Sequence, residues 1–163
     1  MTDVNDEQVE QEEKAEDAKK RLEREHTELL HELRSLIPGA EVLLGFLLAV
    51  TFTTQFGELD DTQRYVYYGT LVSTAVALVL YLAPASYHRL RFREGDKDYM
   101  LRKANREAIA GTVFSALALT GVLYLVTSFV FGQAEAIAAS LVFFGFAAWR
   151  WWSHAIYREL QER

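Results

Sequence analysis

Polar and apolar positions divide this chain sharply near residue 36. Before that point the sequence is almost wholly polar; after it, four apolar stretches alternate with short polar joints. The stretches are 37–56, 66–87, 109–131 and 134–152. Each meets the requirement for crossing a bilayer, roughly 20 mainly apolar residues at about 1.5 Å rise per residue. A core helix of a water-soluble protein keeps a polar stripe at the 3.6-residue period. These stretches show only scattered Thr, Ser and Gly. The pattern predicts an all-α protein: a four-helix transmembrane bundle (36–163) preceded by an acidic helical cytoplasmic segment (1–35).

The polar segment has its own periodicity. Residues 6–36 contain neither Gly nor Pro and are rich in Glu, Lys, Arg, Gln, Leu and Ala, all good helix formers. Leu22, His26, Leu29, Leu33 and Leu36 recur on one helical face. This amphipathic N-terminal helix is expected to pack on the cytoplasmic ends of the spans, because an acidic segment is repelled by anionic headgroups. Pro38 and Gly39 follow at once, and a bend is expected at Leu36 to Gly39.

Charge sets the orientation. The formal net charge is -6, and it is local: residues 1–35 hold twelve acidic and six basic side chains, and the rest of the chain balances. Arg89, Arg91, Arg93, Lys97, Arg102, Lys103 and Arg106 crowd the joint between the second and third stretches. The other joints offer Arg64 against Glu58, Asp60, Asp61 and Glu135. Basic residues stay on the cytoplasmic side, so both termini are expected in the cytoplasm of a multi-pass inner-membrane protein. The seven basic residues are read as lipid-headgroup contacts. Nucleic acid is not an expected partner, since the acidic tail lies on the same side. No cleavable signal is expected ahead of the first span, which has no short apolar region before it.

Composition excludes several chemistries. With no cysteine there are no disulfides, thiolate metal sites or cysteine nucleophiles. No phosphate loop, nucleophile elbow or zinc-type spacing is present, and His26 and His31 stand five apart, off a common helix face. Neither enzyme activity, nor a metal, nor a cofactor is expected.

Within the spans, Glu41 stands out. An ionisable group inside a membrane is costly and marks function by default, although a carboxylate in the first turn of a helix is also favoured by the helix dipole. The topology predicts that His88, Asn105, Arg106, Arg150 and His154 lie near its level. A pairing with Arg150 or Arg106 would neutralise Glu41, whereas a His88 or His154 contact would respond to pH near neutrality. At the outer surface, Glu58, Asp60 and Asp61 are candidates for an acidic mouth, with Asp60 or Asp61 equally suited to cap the second helix. Thr51, Thr53, Thr54 and Gln55 either line a wet path or bond to neighbouring helices. Gly45 and Ala49, with Gly69, Ser73 and Ala77, place small residues at every fourth position and predict a helix-packing seam. Tyr65, Tyr67 and Tyr68 at one end, and Trp149, Trp151, Trp152 and Tyr157 at the other, are read as interfacial aromatic belts.

Taken in order, Leu36-Ile37-Pro38-Gly39, Gln55-Phe56, Leu82-Ala83-Pro84 with His88-Arg89, and Ala104-Asn105 resemble a family of small uncharacterised bacterial four-span membrane proteins. The resemblance covers roughly 32–158 and leaves the acidic tail outside. Members are sometimes labelled sodium/proton antiporters, so the resemblance implies proton or monovalent-cation handling. No inverted repeat or mid-membrane acidic pair of the usual transporter kind is visible. Two functions are therefore expected to compete. One is a homo-oligomer that handles protons or monovalent cations. The other is a structural or accessory membrane subunit that docks a partner protein without transport.

Overall fold

The computed structural model describes residues 3–90 and 97–161, with side chains chiefly over 27–86 and 101–150. Every regular element among them is helical: α1 (Asp3–Val50), α2 (Asp61–Leu90), α3 (Lys97–Val130) and α4 (Gln133–Gln161), with a short 3₁₀ helix, Thr54–Glu58, between α1 and α2. Three helical stretches are long and apolar enough to cross a membrane: Thr27–Val50, Asp61–Ser86 and Leu101–Val130.

The boundary expected near residue 36 does not interrupt the backbone. Residues on both sides form one helix of 48 residues with Pro38 inside it. Proline removes one N–H and leaves the Arg34 carbonyl without its helical partner. Arg34 and Pro38 are both exposed, and the helix continues through them. The stripe of the amphipathic segment does pack within the protein. Leu33 is buried with Ala77 and Tyr81 of α2, and Leu29, Ile37, Ala108 and Phe114 close around them. Leu36 is largely exposed, and the side chains of Leu22 and His26 lie outside the described residues.

The first predicted span ends early. The helix stops at Val50, because the Thr51 hydroxyl bonds back to the Leu48 carbonyl at 2.6 Å and the Thr53 hydroxyl to Val50 at 2.8 Å. The final turn of a helix leaves carbonyls unpaired. One of them, Leu47 O, accepts the Tyr67 hydroxyl at 2.5 Å. Tyr67 is only 5% exposed and meets the Phe56 ring edge-on at 5.0 Å. Tyr65 and Tyr68 are exposed as a belt requires, whereas Tyr67 turns inward and closes the end of α1.

At the other side of this joint, Asp60 caps α2. The Gln63 N–H donates to Asp60 Oδ1 at 2.8 Å, and the Asp60 N–H donates to Gln63 Oε1 at 3.0 Å. This reciprocal pair is a capping box with aspartate in the serine position. The α3–α4 joint is tighter still. Gly132 has φ +114°, a conformation that costs glycine little. Its N–H bonds to Ser128 O, and its own carbonyl accepts the Ala136 N–H. One residue thus ends α3 and begins α4.

Packing is uneven. Helices α2 and α3 form the most intimate pair; α1 lies against α2 and touches α3, and α4 lies against α3. Among the described residues α1 and α4 share no packed interface. The four helices therefore form an open array, with α1 and α4 flanking the α2–α3 pair among the described residues. On the outward faces Phe46, Val79, Val126, Leu141 and Val142 are each more than half exposed. In water so much exposed apolar surface is an association hazard; in hydrocarbon it is the ordinary exterior of a helix.

Candidate functional site

Three features with chemical potential emerge: the acidic residue of α1 with its expected partners, the hydroxyl-bearing interior, and the crevices beside α1.

Glu41 sits on an exposed face of α1. Asn105, Arg106 and Arg150 are exposed as well. Arg150 belongs to α4, across the α2–α3 pair from α1, so a Glu41–Arg150 ion pair does not form. Among the described residues no ion pair joins Glu41 to Arg106 either; the described salt bridge is the surface pair Lys20–Glu16 at 2.8 Å. The side chains of His88 and His154 lie outside the described residues. The structure therefore does not assemble Glu41, Asn105 and Arg150 into one cluster. The open array explains why: shared depth in a membrane brings side chains together only if their helices are neighbours.

Of the basic residues read as headgroup contacts, Arg102 and Arg106 are exposed and Lys103 half-buried at the start of α3. Arg102 and Lys103 each hold an interaction. Arg89, Arg91, Arg93 and Lys97 fall outside the described side chains.

At the opposite end, Glu58, Asp60 and Asp61 are exposed. Asp60 is committed to its cap, and the Arg64 guanidinium donates to Gly57 O at 3.4 Å beside them. Gln63 also reaches across to Ser128 of α3, donating at 3.1 Å. The described residues contain no group of three or more His, Asp or Glu placed to hold a metal.

The predicted seam of small residues is only partly where packing occurs. Ala77 is buried and Ser73 half-buried, while Gly45, Ala49 and Gly69 are exposed. A Cβ added at Gly45 or Gly69 would meet nothing within 4 Å. The close approaches are instead at Gly111, pressed on the Tyr81 ring, and Gly121, pressed on Thr70. On the other side of α3, Ala116 is fully buried, as is Ala136 of α4. Small residues let helices approach in lipid, and here the approach is carried by α3.

The interior hydroxyls are mostly spent on their own helices. Thr70 donates to Val66 O at 2.7 Å, Thr74 to Thr70 O at 2.9 Å, Thr112 to Ala108 O at 3.0 Å and Thr120 to Ala116 O at 2.7 Å. Such bonds satisfy the side chain locally and leave little for a file of water. Other hydroxyls are not spent this way: the Tyr67 hydroxyl reaches Leu47 O of α1, the Tyr81 and Ser115 oxygens lie 2.9 Å apart across the α2–α3 interface, and the buried Ser140 hydroxyl of α4 has no hydrogen-bond partner among the described residues.

One acid escaped the sequence reading. Glu107 lies two residues before the third predicted span, with one carboxyl oxygen buried and without a hydrogen-bond partner. Its position beside Arg106 in a charged joint hid it, because sequence separation from the span says nothing about which face of α3 it occupies.

Among the described residues, crevices of three kinds adjoin α1. An apolar one of about 350 Å³ opens near the α1 end, between Leu47, Phe56 and Phe129. A second of about 480 Å³ separates α1 from α2 and α3 around Gly39, Tyr81 and Ser115. A third of about 420 Å³ lies by Arg34, Pro38 and Ala85.

The chain matches the family of unknown function DUF6328 over residues 15–155. The match reaches back into the acidic helix, which the sequence reading had left outside the family unit. No curated protein and no solved structure matches the chain.

Proposed function

We propose a function from geometry alone, since the chain belongs to DUF6328, a family of unknown function: an integral inner-membrane protein with four spans and cytoplasmic termini, acting as a structural or accessory subunit. The open helix array carries this reading. Helices α1 and α4 are each packed on one flank and present apolar faces on the other, and in place of lipid a second protein chain can cover part of those faces. The α4 segment, Gln133–Gln161, supplies the fourth span. Thr70, Thr74, Thr112 and Thr120, each bonded back to its own helix, support a reading without transport.

A second reading keeps proton or monovalent-cation handling. Exposed Glu41 favours it, for a homo-oligomer that meets along α1 would bring copies of this carboxylate to a shared interface, and the buried oxygen of Glu107 adds an acid facing the protein. Liposome flux separates the two. Purified protein and Glu41→Gln are reconstituted, and proton, sodium and potassium flux is followed across pH. The accessory reading expects both to match empty liposomes. Flux carried by the unmodified protein and abolished in Glu41→Gln would replace it with the ion-handling one, which also requires an oligomer in detergent solution.

A further inference from the structure

Glu41 lies deeper than the first predicted span, beginning at residue 37, would place it. It is not in a first helical turn, because the helix runs through from Asp3 and stops at Val50. The stretch of α1 suited to a membrane is Thr27–Val50, 24 residues, or about 36 Å. Glu41 stands about 14 Å from its Val50 end at 1.5 Å rise per residue. A hydrocarbon core about 30 Å thick has about 6 Å of slack in this stretch, so Glu41 lies about 8–14 Å inside the nearer edge wherever the core is set. Tyr67 marks that edge independently. Its hydroxyl bonds Leu47 O, so Arg64, three residues from Tyr67 toward the start of α2, stands level with Val50, three residues beyond Leu47.

At this depth the carboxyl needs a polar partner. Long Lys and Arg stems snorkel to the headgroups, but the two methylenes of glutamate do not span that distance. Its own chain does not satisfy it: Glu41 is exposed, and among the described residues it has neither a hydrogen bond nor an ion pair. Hydrocarbon offers no hydrogen-bonding group, so an acyl chain cannot serve. What remains is a protein chain with a polar group at the same depth. A second copy meets this condition by symmetry. Loop charge gives every copy one orientation in the membrane, and a two-fold axis along the membrane normal then sets each residue against its equivalent. Glu41 faces Glu41, and of two carboxyls one donates and the other accepts. The surrounding face permits the approach. Gly45 and Ala49 follow Glu41 at one and two turns and are exposed, and a Cβ at Gly45 would meet nothing within 4 Å. Small residues at this spacing let helices cross closely in lipid at about 40°. A crossing at Gly45 also parts the acidic ends: by Thr27, about 27 Å lower, the two axes are about 20 Å apart, well beyond the screening length of about 8 Å.

We infer that the α1 face centred on Glu41 and Gly45 is the contact between two copies of this chain, joined deep in the hydrocarbon by a hydrogen bond between their Glu41 carboxyls. The inference rests on the reading that the chain spans a membrane, and it names the protein chain proposed above to cover part of α1.

The chain has no cysteine, so single introduced thiols report proximity. Full chains carrying Ala49→Cys or Val142→Cys are reconstituted in phosphatidylcholine vesicles and oxidised with copper phenanthroline. Ala49→Cys should give disulfide-linked pairs; Val142→Cys, on the exposed face of α4, should not. Pairing is then measured across protein-to-lipid ratios. Glu41→Leu should weaken it about tenfold, the upper range for one hydrogen bond between membrane helices, while Glu41→Gln, whose amide both donates and accepts, should keep it. Gly45→Val should part the copies without unfolding either, since it meets nothing in its own chain. A chain monomeric at every ratio, cross-linking through Val142→Cys in place of Ala49→Cys, or undiminished pairing in Glu41→Leu would overturn the contact. A monomer without ion flux would leave the accessory reading standing with another partner, whereas a pair that carries flux would overturn that reading and keep the contact. Release of the protein from membranes by alkaline carbonate would defeat the membrane reading on which both rest.

Discussion

Helices α2 and α3 and the helices that flank them are built from similar apolar sequence, yet they are held by different means. Between α2 and α3, glycines meet side chains so closely that no Cβ fits, the Tyr81–Ser115 bond crosses the interface, and Gln63 reaches Ser128 near the far end. The flanking helix α1 has looser support. It docks through Leu33 at one end and the Tyr67–Leu47 bond at the other, with crevices between. Lipid provides little hydrophobic drive for helix association, so close packing and hydrogen bonds must supply it. The α2–α3 pair has both in abundance and forms the scaffold. The flanks have surface to spare, which is where binding is expected.

The sharpest way to break this contrast is to overfill the scaffold. Gly121→Val forces a side chain into Thr70 and should destabilise the protein by about 3 kcal/mol, the upper range for overpacking. Gly45→Val, on the open face of α1, should shift stability by less than about 0.5 kcal/mol, as expected for a surface substitution. Unfolding in detergent followed by circular dichroism reads both; equal losses would show that α1 is packed as tightly as α3. A smaller effect should come from the flank itself. Tyr67→Phe leaves the buried Leu47 carbonyl unpaired at a cost of about 1.5 kcal/mol, and amide exchange should quicken around residues 47–50 while residues 111–121 stay protected. Least of the three, Asp60→Ala removes the cap of α2 and should cost about 1 kcal/mol. If it instead changed ion flux, the acids of this joint would have a role beyond capping.

The helices and their joints were largely legible in the sequence. Long runs without charge allow little besides a membrane helix, and an aspartate at 60 or 61 was a local cap signal; that Asp60 is the cap and Gln63 its partner came from the structure. The stripe through Leu29 and Leu33 likewise foretold burial within the protein. Other readings failed where geometry is not local. Gly45 and Gly69 carry the same four-residue spacing as packing glycines but face open space, because spacing identifies a face without identifying a neighbour. Tyr67 was indistinguishable from Tyr65 and Tyr68 until α1 ended at Val50 and offered it a carbonyl. The helix runs on through Pro38, from Asp3 to Val50.

By itself, the sequence determined that this chain is helical and apolar enough to suit a membrane, because hydrogen-bond closure and hydropathy are properties of single segments. Which helices touch was decided only by the tertiary structure. That choice separated Glu41 from Arg150, gave the close approaches to Gly111 and Gly121, and paired the Tyr81 and Ser115 hydroxyls across the α2–α3 interface, because contacts between helices depend on rotation and neighbour as well as on depth.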